Sequence, residues 1–215
     1  MIMVLFGPPG CGKGTQAGII AKDIEMPHLS TGDMLRDAVK SKTETGLKAA
    51  SIMEEGKLVS DEIVINIIKD RICNSDCKNG FILDGFPRTV SQAKELDVML
   101  TTENMKVDLV VDFSVNDEAL ISRIEGRFSC GDCGEGYNDH TKLPIKEGIC
   151  DECESSNFIR RKDDNRETVS KRLEAYYKDT LPILPYYKEK QVLNSIDGLA
   201  DIDSVTTELM SLIKK

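Results

Sequence analysis

The 215-residue sequence contains no apolar run of 18 residues, the length a helix needs to cross a bilayer. Its first residues enter an apolar strand and a loop, not a charged segment followed by the apolar core of a signal peptide. Neither a membrane span nor export is therefore expected, and the expected setting is the reducing cytoplasm, where structural disulfides are rare. Positive charge is also in short supply, with 28 Lys and Arg against 37 Asp and Glu and a formal net charge of −9. That balance, without a lysine-rich face interleaved with aromatics, argues against nucleic acid or anionic membrane as partners. An anionic ligand must then be met by a local concentration of basic groups. Internal repeats and low-complexity tracts are missing too, so the chain reads as one compact domain with insertions or two small ones.

What is present begins with the first fifteen residues. The apolar run Met1–Phe6 meets Gly7-Pro8-Pro9-Gly10-Cys11-Gly12-Lys13-Gly14-Thr15, after which a helical pattern starts. Glycines let backbone N–H groups turn inward against an anion, and a helix N-terminus adds partial positive charge at the same place. Lys13 brings a full charge to the outer phosphates, and Thr15 offers a hydroxyl to magnesium or to a phosphate oxygen. A glycine cluster alone would be an ordinary turn. The lysine, the threonine, the preceding strand and the following helix are what point to phosphate. The spacing fits G-x-x-x-x-G-K, with Gly14 inserted before the hydroxyl residue, and this variant resembles the loop of nucleoside monophosphate kinases.

Phe81-Ile82-Leu83 and Leu109-Val110-Val111 are short unbroken apolar runs that alternate with helical patterns, the mark of a parallel sheet covered on both faces. His28-Leu29-Ser30 reads as another short strand. Two short amphipathic helices are expected between Asp33 and about Gly56, and a longer one with Ile63, Val64, Ile67, Ile68 and Ile72 is expected after a Ser60 cap. From Gly126 to about Asp164 the regular patterns yield to cysteine, glycine and charge. They resume with a helix from about Glu167, a strand around Val192 and Leu193, and a last helix near Asp203.

In open α/β sheets ligands gather at the carboxyl ends of the strands. Asp84, directly after Leu83, suits magnesium support there, the alternative being a turn cap before Gly85. Phosphoryl transfer asks mainly for positioning and charge neutralisation, which calls for arginines. Arg36, Arg88, Arg123, Arg127, Arg160, Arg161 and Arg172 are the candidates, and periodicity does not choose among them.

Cys130-x-x-Cys133 and, sixteen residues on, Cys150-x-x-Cys153 have the spacing of two zinc knuckles. Disulfides and unpaired thiols are the alternatives, and the expected reducing compartment weighs against the first. A zinc ion with four thiolates has no open position, so the site would be structural. Cys11, inside the phosphate loop, is either a small filler or a thiol whose pKa nearby positive charge lowers.

Gly7 to Gln16, Ser30-Thr31-Gly32-Asp33-Met34-Leu35-Arg36, Gly56-Lys57-Leu58-Val59, Asp84-Gly85-Phe86-Pro87-Arg88 with Gln92, Gly126-Arg127, and Arg161-Lys162-Asp163-Asp164 followed by Arg172 together resemble the adenylate kinases in order and spacing. The resemblance spans almost the whole chain. It implies an α/β fold of the P-loop type, a parallel β-sheet flanked by helices. The core would take 1–29, 60–125 and 164–215, with a helical AMP-binding insert at 30–59 and a zinc-bearing lid at 126–163. Residues 138–144 depart from the family in lacking the aromatic and paired prolines common there.

Carried over by residue, the resemblance gives the ATP phosphates to Gly10, Cys11, Gly12, Lys13, Gly14 and Thr15, and the lid side of ATP to Arg123, Arg127 and Tyr137. The AMP site would be Thr31, Arg36, Lys57, Val59, Gly85, Arg88 and Gln92, with Arg88 on the phosphate and Thr31 and Gln92 reading the base. Arg161 and Arg172 would bridge both nucleotides. Asp163 and Asp164 match the family's acidic pair, or simply pair with neighbouring arginines. The implied activity is direct, reversible transfer of the terminal phosphoryl of Mg-bound ATP to AMP by a monomer, giving two ADP. Lys13, Arg88, Arg127, Arg161 and Arg172 would be its catalytic groups. A kinase for UMP or CMP is the nearest alternative, and a zinc-ribbon regulator that binds nucleic acid the rival from another class.

Overall fold

The computed structural model describes residues 1–214, apart from the side chains at positions 117–119. In chain order, β1 (Ile2–Phe6) leads into α1 (Lys13–Asp23), and β2 (His28–Ser30) into α2 (Thr31–Lys40) and α3 (Glu44–Glu54). Next come α4 (Asp61–Ile72), β3 (Phe81–Asp84), α5 (Val90–Thr102), β4 (Leu109–Ser114) and α6 (Asp117–Glu125). Three short strands follow, β5 (Arg127–Cys130), β6 (Gly136–Asn138) and β7 (Phe158–Ile159). Beyond them lie α7 (Arg166–Ala175), a π-helical turn at Tyr176–Thr180, α8 (Ile183–Glu189), β8 (Leu193–Asp197) and α9 (Ile202–Ile213).

The central sheet has the order β2-β3-β1-β4-β8, and every pairing in it is parallel. The chain first adds strands on one side of β1 and then crosses to the other with β4, so β1 sits at the switch point where open α/β sheets bind ligands. Its five residues are all buried, with alternate side chains serving opposite faces. Ile2, Val4 and Phe6 join Phe81, Leu83 and Val110 under α4, α5 and α8, where Ile68, Leu96 and Tyr187 are fully covered. Met3, Leu5, Ile82 and Val111 pack under α1, α6, α7 and α9 through Ile20, Leu120, Val169 and Leu209. Each such side chain contributes roughly 1.5–3 kcal/mol of burial, which makes the sheet a rigid base for the loops at its carboxyl edge.

The helix starts are local chemistry. Ser30, Thr43, Thr89, Asn165 and Asp201 each accept a backbone N–H three residues on. Ser60 stands at the start of α4 as expected but makes no capping bond with its side chain, and the acidic groups of Asp61 and Glu62 complement the helix end instead. Periodicity did not announce α5, which follows a proline-bearing turn, nor α8, which contains Pro185.

The cysteine-bearing stretch is a separate antiparallel sheet of order β6-β5-β7. Its small core consists of Phe128, Tyr137 and Phe158, with ring centroids 5.4–5.5 Å apart, beside the buried thiols of Cys130 and Cys150.

Candidate active site

Between the sheet's carboxyl edge, the α2–α3 pair and the small antiparallel sheet lies a cavity of about 620 Å³, within the range of ligand sites. The loop after β1 forms its floor. Gly12 adopts φ 95° immediately before α1, and Lys13 Nζ rests on the carbonyl oxygens of Gly7 (3.1 Å) and Pro8 (3.2 Å). Cys11 lies beneath the loop at 1% exposure, and burial pushes its thiol up despite the nearby Lys13 charge. It is therefore a filler and not an activated thiol.

Asp84 ends β3 beside that loop. Burial alone would raise its pKa, but the bond from His28 Nε2 (3.3 Å) and the charge of Lys13 prevail and hold it below the usual carboxylate range. The result is an ionised oxygen donor under the phosphate loop, which fits the oxygen preference of magnesium. A side chain on Gly14 would put its Cβ 3.3 Å from Asp84 Oδ2. The inserted glycine thus keeps the space above the carboxylate open. His28 was not legible as a site residue; its one signal is a polar residue opening a short apolar strand.

On the α2 side, Thr31 Oγ1 donates to the Gly85 carbonyl at 2.8 Å. Gly85 has φ +75°, and a Cβ there would stand 3.1 Å from Thr31 Oγ1 and 2.9 Å from Arg88 Nη2, so this turn needs glycine. Arg88 Nε donates to the same carbonyl at 2.7 Å, and the hydroxyl of Thr180, at the end of the π-helical turn, donates to the Arg88 carbonyl at 3.0 Å. Gln92, Lys57 and Val59 also border the cavity, although Lys57 is largely exposed and pairs with Glu55 at 2.7 Å.

Three carboxylates gather the arginines. Asp33 binds Arg36 at 2.5 Å and Arg161 at 3.3 Å. Asp164 binds Arg127 and lies 3.5 Å from Arg172, which also contacts Asp163. The acidic pair therefore does pair with its neighbouring arginines. Burial, followed by the repulsion of Arg127 and other guanidinium groups, pushes Arg161 and Arg172 down to about 10, still protonated at neutral pH. Arg88 is lowered by burial as well. Such mutual strain among cations is relieved by a polyanion. Arg123 donates to the Gly198 carbonyl at 2.8 Å on the cavity wall, whereas Arg160 turns away to Asp139 and the face of Phe128.

Tyr137 borders the cavity, yet its side chain is committed elsewhere. It is 3% exposed, stacks on Phe128, and its hydroxyl donates to Cys150 Sγ (3.4 Å) while accepting from the Asp151 N–H (2.8 Å). The ring braces the cysteine cluster from the cavity's edge.

The four Sγ atoms of Cys130, Cys133, Cys150 and Cys153 lie within 4.8 Å of one another, with Cys130–Cys153 and Cys133–Cys150 at 3.5 Å. Tetrahedral zinc with bonds of ~2.3 Å requires sulfurs ~3.8 Å apart, whereas a disulfide requires ~2.05 Å. The cluster fits the ion and holds no disulfide. Burial opposes ionisation of Cys150, but the Tyr137 hydroxyl and the N–H groups of Glu152 and Cys153 outweigh it and hold that thiol down at about 6. Burial and its neighbouring thiols push Cys133 up, so one thiolate of the cluster forms ahead of the others.

A cavity that sets basic groups from three parts of a P-loop fold around one space is that of a phosphotransferase acting on small phosphorylated substrates, the nucleoside monophosphate kinase class. A family model described as adenylate kinase matches residues 5–192. A protein named adenylate kinase in Rhizobium etli (strain CIAT 652) is 53% identical over 215 residues, covering 100% of both chains. Proteins of the same name in Magnetococcus marinus, 49% identical over 99% of this chain and 100% of theirs, and in Zymomonas mobilis, 46% identical over 100% and 96%, are also similar. The chain belongs to the adenylate kinase family.

Proposed function

We propose that this chain reversibly transfers the terminal phosphoryl of ATP to AMP, giving two ADP, with magnesium accompanying ATP. The observation that carries the reading is the sharing of acids between arginines of different segments. Asp33 joins Arg36 to Arg161, and Asp164 joins Arg127 to Arg172, all around the cavity that Lys13 and Arg88 also face. Two phosphorylated ligands drawn into that space would meet arginines whose spacing these acids hold.

In this reading the loop Gly10–Thr15 holds the ATP phosphates, and Arg123, Arg127 and Tyr137 meet ATP from the lid side. Arg88 and Arg36 grip the AMP phosphate, Thr31, Lys57, Val59, Gly85 and Gln92 line its site, and Arg161 and Arg172 neutralise charge between the two nucleotides. Asp84 and Thr15 would support the magnesium ion, which supplies charge neutralisation on the transferring phosphates. Cys130, Cys133, Cys150 and Cys153 would hold a structural zinc. Segments 30–59 and 126–163 are then the acceptor insert and the lid, and 1–29, 60–125 and 164–215 the core. Closure of both inserts would exclude water, so that AMP and not water receives the phosphoryl group. Family membership leads us to expect a monomer in the cytoplasm.

The test is coupled detection of ADP from ATP and AMP with Mg²⁺, on wild type and Arg88→Ala, with UMP and CMP as competing acceptors. AMP-dependent turnover that falls at least about 100-fold in the variant supports the reading. Faster turnover of UMP or CMP would reassign the acceptor, and no ADP above the ATP-only background would sink the reading.

A further inference from the structure

Gln92 borders the acceptor side of the cavity at 1% exposure, and its amide is fixed from both ends. The backbone N–H of Arg88 donates to Gln92 Oε1 at 2.7 Å, and Gln92 Nε2 donates to Asp61 Oδ1 at 2.8 Å. A backbone N–H only donates and a carboxylate only accepts, so these neighbours admit one of the two orientations of the amide. The other oxygen of Asp61, Oδ2, accepts from Thr89 Oγ1 at 2.9 Å, and Thr89 in turn caps α5 by accepting the Gln92 backbone N–H at 3.1 Å. One carboxylate at the first turn of α4 thereby pins both the start of α5 and the amide that α5 carries.

A pinned orientation has a consequence for base recognition. Adenine presents the 6-amino N–H beside an unprotonated N1. Guanine and hypoxanthine present a 6-oxo group beside an N1 that carries a proton. A carboxamide free to turn over satisfies either pattern, because its oxygen and nitrogen simply exchange places. With Oε1 held by Arg88 and Nε2 held by Asp61, the amide keeps one N–H and one carbonyl lone pair in a fixed order, which matches one pattern and opposes the other.

We propose that Asp61 is a positioning residue that sets the acceptor's base specificity, locking Gln92 in the orientation that reads a 6-amino purine and rejects a 6-oxo purine. This inference rests on the reading of the acceptor as AMP. Rejection is strong for such a pair because the wrong base leaves desolvated polar groups facing like partners. The lock also ties base reading to phosphate binding, since the N–H that orients Gln92 belongs to Arg88.

The experiment compares kcat/KM for AMP, GMP and IMP in wild type, Asp61→Ala and Asp61→Asn. Asparagine keeps an oxygen for Gln92 Nε2 and can donate to Thr89 Oγ1, so it serves as the conservative rescue. Asp61→Ala is expected to lower the AMP:GMP and AMP:IMP ratios at least about tenfold while KM for ATP moves less than about twofold, and Asp61→Asn to stay within about threefold of wild type. A merely structural role would lower turnover of all acceptors together, and an unchanged ratio in Asp61→Ala with AMP turnover retained would overturn this proposal alone. Absence of AMP-dependent turnover in wild type would overturn the acceptor reading and this inference with it. Side-chain amide NMR of wild type, which needs no variant to fold, is expected to show the Gln92 Nε2 proton that faces Asp61 exchanging with solvent more slowly than the amide protons of exposed glutamines. Exchange as fast as in an exposed glutamine would overturn the lock.

Discussion

Asp164 grips Arg127 with both carboxylate oxygens, Nε donating to Oδ2 at 2.7 Å and Nη2 to Oδ1 at 2.5 Å. The pair joins the segment entering the small antiparallel sheet to the segment returning from it. Asp164 has a side-chain exposure of only 3% and lies 3.5 Å from Arg172 as well, so it sets the spacing of two arginines at once.

Replacing Asp164 by asparagine keeps its shape but turns an N–H₂ toward a guanidinium, a donor against donors. We expect kcat to fall about 10- to 100-fold at saturating nucleotides, because the charges are retained but no longer held in place. Steady-state kinetics on Asp164→Asn check this, and kcat within a factor of two of wild type would show that the arginines are positioned without it.

The cysteine cluster should behave as the core that the small sheet lacks. Apart from Phe128, Tyr137, Phe158 and the thiols there is little apolar mass to order this segment, so a bound metal would offset its ordering entropy. Metal analysis is expected to give one zinc per chain in wild type and none in Cys133→Ser. The variant, or wild type after chelation, should melt roughly 5–10 °C lower, at roughly 2–4 °C per kcal/mol for a chain of this size. Full zinc occupancy with an unchanged melting temperature in Cys133→Ser would contradict the assignment.

Asp84 makes stability depend on pH in a defined direction. Its folded pKa lies below the ordinary carboxylate value because the His28 bond and the Lys13 charge outweigh its burial. A depressed pKa gives stability that is present above about pH 4 and is lost as pH falls through the folded value. Urea denaturation between pH 6 and pH 3 should therefore show wild type losing stability more steeply than Asp84→Asn below about pH 4, with the two curves converging. Parallel curves would mean that the carboxylate is not held ionised by these partners.

Much of this arrangement could be read from local sequence, and the reason is chemical. Gly10–Thr15, Asp84 at the end of an apolar run and the two cysteine knuckles each place their chemistry within a few neighbouring residues. What stayed hidden depends on distance along the chain. His28 meets Asp84 across 56 residues, Asp61 meets Gln92 across 31, and Arg127 meets Asp164 across 37. Periodicity contains none of that. The resemblance places Tyr137 on the ATP side, and the contacts that brace its ring, Phe128 and Cys150, are ones only the folded sheet brings together.

Gly14 offers a test in which stability and activity should part. It lies in the first turn of α1 with no unusual backbone angle, so alanine there is compatible with the helix and would ordinarily stabilise it by roughly 0.5–1 kcal/mol. The added Cβ, however, would sit 3.3 Å from Asp84 Oδ2, tight enough to make the carboxylate give by a few tenths of an ångström. That carboxylate is already held by His28 and stands where magnesium support is proposed. Gly14→Ala is thus expected to melt at or slightly above the wild-type temperature while kcat falls at least about tenfold, a loss consistent with misplacing one group of a preorganised site. Calorimetry and turnover measured on the same preparation separate the two effects. Equal activity would mean that the space above Asp84 is not used, and a lower melting temperature that the loop, not the carboxylate, needs this glycine.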